Sequence, residues 1–141
     1  MRALLLLPLI FAVPGAAAGQ GAASGRTVEV QLSSFDFAPQ TIRLKAGEPV
    51  VLHLVNSGSG GHNFAAPEFF AAAGAVSGPV QRGKIEVAGH QSADVRLTPA
   101  RGTYRLRCTH TLHSSFGMKG SIVVEQRTAA TRAIAGSATP S

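Results

Sequence analysis

The stretch 104–124 reads YRLRCTHTLHSSFGMKGSIVV and predicts two strands joined by a loop. Tyr104, Leu106 and Cys108 alternate with polar residues, which is the period of a strand with one buried face. The apolar run within 120–124 predicts the start of the next strand. The chain around Cys108 is therefore expected to fold as part of a β-sheet.

Similar alternation recurs in short runs along the rest of the chain, separated by Gly, Pro and Asn residues. These further runs lie at 27–32, 42–45, 50–55, 85–87 and 95–97. About seven strands of this kind predict an all-β protein, a β-sandwich. The segment 67–73 differs, because proline near its start and glycine after its end predict one short helix.

The two ends of the chain do not resemble the strand-rich body. Residues 1–18 predict a secretory signal peptide, with an early arginine, an apolar run and small residues before the cleavage point. The apolar run is too short to span a bilayer, so we expect no transmembrane anchor in the mature form and a periplasmic or otherwise secreted location. Residues 19–25 are expected to be flexible and residues 127–141 disordered, which leaves the domain at 26–126.

The formal net charge is +6, from 13 basic and 7 acidic side chains. The basic residues are spread along the chain with few aromatic residues between them, which argues against nucleic-acid binding. A surface of this kind suits an acidic partner or an anionic membrane face, or serves solubility alone. Composition does not choose among these three.

Cys108 is the only cysteine, so it cannot form an internal disulfide. In an oxidising compartment its thiol is either buried and inert or committed to chemistry. His113 and Met118 follow it in steps of five, and His62 lies upstream after a predicted strand and a glycine-rich turn. One thiolate, two imidazoles and one thioether are the donor set of a blue-copper site, because soft sulfur ligands suit Cu(I) and imidazole suits both oxidation states. The thioether argues against structural zinc, whose ligands are thiolates, imidazoles and carboxylates.

Over residues 28–125 the chain resembles the cupredoxins, or type 1 blue copper proteins, the family of plastocyanin, azurin and rusticyanin. The resemblance rests mainly on Cys108-x4-His113-x4-Met118-x-Gly120, with a tyrosine four residues before the cysteine. Shorter matching motifs are Phe35-Asp36-Phe37-Ala38-Pro39, Ala46-Gly47, His62-Asn63-Phe64 and Gly102-Thr103-Tyr104. It implies a Greek-key β-sandwich.

The resemblance also implies a role for each residue of the motifs. His62, Cys108 and His113 would hold one copper ion in a trigonal set, with Met118 as the long axial ligand. Asn63 would hydrogen-bond near the cysteine sulfur and tie the two ligand loops together. The copper would alternate between Cu(I) and Cu(II).

By the same resemblance, an electron would enter or leave through the edge of His113. Leu112, Phe116 and Pro67 would form an apolar docking patch for redox partner proteins, including acidic ones. Four protein ligands leave no open position for a substrate, so we expect a monomeric one-electron carrier and not an enzyme.

His110 departs from the family pattern, and the loop around it lacks the expected proline. Its imidazole could hydrogen-bond within the loop or compete with His113 for the metal. The alternative function is therefore a copper carrier or buffer that stores or delivers the ion without redox cycling; a third is a metal-free adhesion domain. His53 is expected to be structural or exposed, and His90 to be solvated.

Overall fold

The computed structural model describes residues 25–34, 36–110 and 118–128. The predicted signal peptide, nearly all of the segment 19–25 and most of the predicted tail lie outside these ranges. The strands are β1 (Arg26–Ser33), β2 (Asp36–Ala38), β3 (Thr41–Lys45), β4 (Val50–Asn56), β5 (His62–Ala65), β6 (Gly74–Ser77), β7 (Lys84–Val87), β8 (Ser92–Thr98), β9 (Gly102–Arg107) and β10 (Lys119–Glu125). One helix, α1, spans Pro67–Ala72.

Two five-stranded sheets form the fold. Sheet A has the strand order β2-β1-β4-β8-β6, and sheet B has the order β3-β10-β9-β5-β7. The pairs β1–β4 and β3–β10 are parallel, and the remaining pairs are antiparallel. The predicted all-β sandwich is confirmed.

The core lies between the sheets because most strands turn their alternate apolar residues inward. Leu52 and Leu54 of β4 are fully buried, as are Ile85 of β7 and Ile122 of β10. Phe64 fills the centre, with edge-on contacts to Phe37 and Phe70 at ring-centroid distances of 6.1 Å and 6.0 Å. The strand β5, which carries both His62 and Phe64, is therefore anchored by an aromatic cluster.

The described residues contain ten strands, whereas the sequence pattern predicts about seven. The additional strands are β2, β5 and β6. The four residues of β5 are all buried and those of β6 are all exposed, so neither strand shows alternation. β2 has only three residues. Periodicity cannot detect β5 and β6, because neither alternates.

The helix α1 begins at Pro67, which suits the first helical turn because proline lacks an N–H group. Its Phe69 and Phe70 are buried against the core. None of the helices in the described ranges is long and apolar enough to cross a bilayer.

Candidate metal centre

His62 is the first residue of β5 and is almost fully buried. It pairs with Val87 across the antiparallel β5–β7 contact. The turn between β4 and β5 packs against the turn between β7 and β8. The contact is so close that a Cβ at Gly89 would lie 2.1 Å from the carbonyl oxygen of Ser59. Backbone packing of this kind fixes where the imidazole enters the core.

Asn56 orders the glycine-rich turn between β4 and β5. Its buried side-chain amide donates to the carbonyl oxygen of Gly60 at 2.8 Å and to those of Val87 and Ala88 at 3.1 Å. Its Oδ1 accepts from the N–H of Gly58 at 3.1 Å. The sequence marks Asn56 only as the first residue of a loop, so its role is visible only in the structure.

Cys108 follows the last residue of β9, and its side chain is fully buried. Its N–H donates to the carbonyl oxygen of Met118 at 3.1 Å, which brings together the two ends of the intervening segment. Met118 is also fully buried and directly precedes β10. The thiol and the thioether therefore enter the core from adjacent strands of sheet B.

Asn63 connects the histidine strand to the cysteine strand. Its main-chain N–H lies 3.5 Å from Sγ of Cys108, in hydrogen-bonding geometry. Its side chain donates to Oγ1 of Thr109 and accepts from the N–H of Thr109, both at 2.8 Å. These are the contacts that the resemblance implies for Asn63.

Glu86 on β7 gathers three donors at the edge of this region. It accepts from Nδ2 of Asn63 at 3.0 Å and pairs with Nζ of Lys84 at 2.9 Å, and its Oε2 lies 3.0 Å from Nε2 of His110. Partial burial raises the pKa of Glu86, but hydrogen bonds from His110, Lys84 and Asn63 outweigh it and lower the pKa to about 2. The carboxylate is therefore charged throughout the neutral range, and it links the loop after Cys108 to β7.

The structure brings part of the predicted ligand set together. His62, Cys108 and Met118 are each at least 98% buried, and Cys108 is linked by hydrogen bonds to Asn63 and to Met118. His113, Leu112 and Phe116 lie outside the described residues, so the fourth ligand and most of the apolar patch stay predictions. Pro67, the remaining member of that patch, is exposed at the start of α1.

Within the described ranges, no group of three or more His, Cys, Asp or Glu side chains is arranged to hold a metal ion. Of the predicted ligands, only His62 and Cys108 belong to those residue types there. Their chemistry nevertheless fits copper, because a buried imidazole, a buried thiol and a buried thioether form a soft donor set. All buried side-chain N and O atoms in the described part of the chain have hydrogen-bond partners.

The other two histidines lie away from this region. His53 projects from the outer face of sheet A, where its Nδ1 lies 2.6 Å from Oδ1 of Asp94. His90 is exposed in the turn between β7 and β8. Both positions agree with a structural or solvated histidine.

The family model for the cupredoxin-like domain matches residues 3–124. The chain belongs to this family. A search of the curated proteins found no significant match. The resemblance seen in the sequence motifs is thus confirmed over most of the chain.

Two of the solved structures similar to this chain are auracyanins, and the match covers most of each of those chains. Auracyanin B is 28% identical, with a TM-score of 0.54, and the match covers 71% of this chain and 88% of that chain. Auracyanin A, a "blue" copper protein of Chloroflexus aurantiacus, is 22% identical, with a TM-score of 0.52 and coverage of 70% and 98%. At the latter identity, the likeness shows the fold alone.

The same cupredoxin fold also occurs inside a larger enzyme. The McoA multicopper oxidase of Aquifex aeolicus is 15% identical, with a TM-score of 0.59. The match covers 73% of this chain but only 30% of the oxidase. Fold alone therefore does not separate carriers from enzymes in this family, and the distinction depends on the site.

Proposed function

We propose that this chain is an exported type 1 copper protein that carries one electron at a time. His62, Cys108, His113 and Met118 would hold a single copper ion. The observation that carries the proposal is the environment of Cys108, whose fully buried sulfur lies 3.5 Å from the main-chain N–H of Asn63. Burial and an N–H donor at the sulfur are features that tune the potential of a copper–thiolate site.

A bound copper ion would supply the change between Cu(I) and Cu(II), and the surrounding residues would keep its ligands in place. The reciprocal hydrogen bonds between Asn63 and Thr109 hold the cysteine loop against β5. The hydrogen bond from the Cys108 N–H to the Met118 carbonyl oxygen holds the start of β10 beside the end of β9. A site held at three strand ends changes little in geometry when its charge changes, and this favours electron transfer.

Several further properties belong to the same proposal. Four side-chain ligands leave no position for a substrate, so the protein would act as a carrier and not as an enzyme. It would work as a monomer in the periplasm or another exported space, with redox proteins as partners. The similarity to auracyanin B, at 28% identity and over 88% of that chain, supports a carrier over one part of an oxidase.

The test is the absorption and EPR spectrum of the copper-loaded protein, together with voltammetry. We expect an intense visible Cu(II)–thiolate band and reversible one-electron reduction, both lost in Cys108→Ser. A wild-type protein that takes up copper without that band would contradict the proposal. Far-ultraviolet circular dichroism of Cys108→Ser serves as the control for folding.

A second candidate, copper storage or delivery without redox cycling, is favoured by the position of His110. A Cβ at Gly61 would lie 3.6 Å from Cε1 of His110, so this additional imidazole lies beside the residue that precedes His62. It could accept the ion during exchange. This candidate predicts rapid copper release to a chelator that slows in His110→Gln, whereas the electron-carrier proposal predicts slow release from both proteins.

A further inference from the structure

Charge is divided unequally between the two sheets. The strands of sheet B carry six basic and two acidic side chains, a surplus of four positive charges. The strands of sheet A carry two basic and three acidic side chains, a surplus of one negative charge. Sheet B, which has the positive surplus, is also the sheet in which Cys108 directly follows β9 and Met118 directly precedes β10.

Three of the six basic side chains of sheet B lie in one row across its outer face. Lys119 of β10 lies opposite Arg107 of β9, Arg107 lies opposite Ala65 of β5, and Ala65 lies opposite Lys84 of β7. These four strands are adjacent, so the row spans about 14 Å at the usual strand spacing. Arg105, two residues before Arg107, adds a further cation on the same face. We call Lys84, Arg105, Arg107 and Lys119 the basic face.

Most of this charge is not neutralised within the protein. Of the two acidic side chains of sheet B, Glu125 pairs with Arg43 and Lys45, and Glu86 pairs with His110 and with Lys84, the one member of the basic face that is in an ion pair. Among the described residues, no ion pair involves Arg105, Arg107 or Lys119. Like charges directly opposite on neighbouring strands are destabilising, so the Arg107–Lys119 pair works against folding. A feature that weakens the fold is better explained by binding than by stability.

Two residues of the basic face are direct sequence neighbours of predicted copper ligands. Arg107 directly precedes Cys108, and Lys119 directly follows Met118. The side chains of Cys108 and Met118 point into the core, and those of Arg107 and Lys119 point to solvent. A molecule bound on this face would thus be separated from the buried sulfur atoms by little more than the thickness of one sheet.

We propose that the basic face is the docking surface for an acidic protein that exchanges electrons with this chain. The inference rests on the proposed function, because it assigns a place and a charge to the redox partner. Complementary charge would steer the partner towards the sheet that carries the site, and the negative surplus of sheet A would disfavour the opposite approach.

A protein partner fits this surface better than an anionic membrane does. Stable attachment to a membrane surface usually combines basic side chains with exposed apolar side chains that enter the interface. Val76 is the only large hydrophobic side chain that is exposed among the described residues, and it lies on β6 of sheet A. Among the residues that the structure describes, the basic face thus offers charge without a large exposed hydrophobic side chain beside it.

The test is an NMR titration of the purified ¹⁵N-labelled protein, in its metal-free and copper-loaded forms, with poly-L-glutamate as the acidic polypeptide. Vesicles of phosphatidylglycerol and phosphatidylcholine form the second arm. We expect amide shifts that centre on the basic face, with an affinity that falls as salt is added. Arg107→Glu/Lys119→Glu should weaken binding about tenfold or more at low salt.

The matched control is Arg26→Glu/Arg96→Glu, which makes the same change in net charge on sheet A. This control should keep nearly all of the affinity and the same pattern of shifts. Equal weakening by both double variants would show that only net charge matters, and tighter binding to vesicles through the same residues would assign the face to membranes. Either result overturns the inference. The copper spectrum is recorded separately, so a failed metal site and a failed docking surface are distinguishable.

Discussion

Asn63 and Thr109 exchange two hydrogen bonds, each 2.8 Å long, between the start of β5 and the residue after Cys108. One bond joins the two side chains, and the other joins the Thr109 N–H to the Asn63 side chain. A pair of this kind fixes both the distance and the orientation of the two segments. The pair therefore holds His62 and Cys108 in register before any metal arrives.

Asn63→Ala should lower the free energy of unfolding of the metal-free protein by about 1–3 kcal/mol, because it leaves the Thr109 N–H without its acceptor. Thr109→Val should cost less, because that variant keeps the N–H bond and loses only the side-chain bond. Denaturant unfolding measures both values. Gln91→Ala, at an exposed position, should leave the stability almost unchanged, and an equally stable Asn63→Ala would contradict the prediction.

Acid should remove the contribution of Glu86 to stability. Its pKa is lowered in the folded protein to about 2 from an ordinary 4.5, so folding favours the carboxylate. This contribution is complete above pH 4.5 and is lost as the pH falls from there towards 2. The metal-free wild type should therefore have a larger free energy of unfolding than metal-free Glu86→Gln at pH 7. This difference should become smaller below pH 4.5. A difference in free energy of unfolding that stays constant from pH 7 down to acid would contradict the lowered pKa of Glu86.

His62→Ala should abolish stoichiometric copper uptake, and His53→Ala should not. Both residues lie on strands, but His62 is buried next to Asn63 whereas His53 pairs with Asp94 on the outer face of sheet A. Isothermal titration of the metal-free variants with Cu(II) measures the difference. Unchanged uptake in His62→Ala would remove this residue from the ligand set.

Met118→Leu should keep the visible copper band and shift the reduction potential. The substitution roughly conserves volume in a fully buried position, so its cost in stability should stay below about 1.5 kcal/mol. The potential depends on the axial ligand, and this variant removes the thioether. Leu97→Met, at a buried position on β8 of sheet A, is the control and should leave the potential unchanged. A potential equal to that of the wild type in Met118→Leu would argue against ligation by Met118.

The sequence predicts the sandwich well because most of its strands have one buried face and one exposed face. Val50, Leu52 and Leu54 show this alternation, and all three are buried. The short helix is equally predictable, since Pro67 and Gly74 mark its limits. Periodicity does not reveal the strand that carries His62, because all four of its residues are buried and such a run has no alternation.

The ligand motif is also visible in the sequence, but the contacts that support it are not. Glu86 lies far from Asn63 and His110 along the chain and meets them only through the β5–β7 pairing. The same holds for the basic face, whose cations become neighbours only when β10, β9 and β7 lie in one sheet. Contacts across strands depend on which strands pair and in which register. The hydrophobic pattern of a single sequence does not reveal either.

The hydrogen bond from Cys108 N–H to the Met118 carbonyl has a consequence for how such a protein can evolve. It closes the intervening segment at its base, next to the β9–β10 pairing. Beyond Thr109 and His110, which bond to Asn63 and Glu86, insertions, deletions and substitutions between residues 111 and 117 can then accumulate with a smaller penalty to folding than changes in the strands. Selection could in this way adjust the metal chemistry of the segment while the scaffold stays the same.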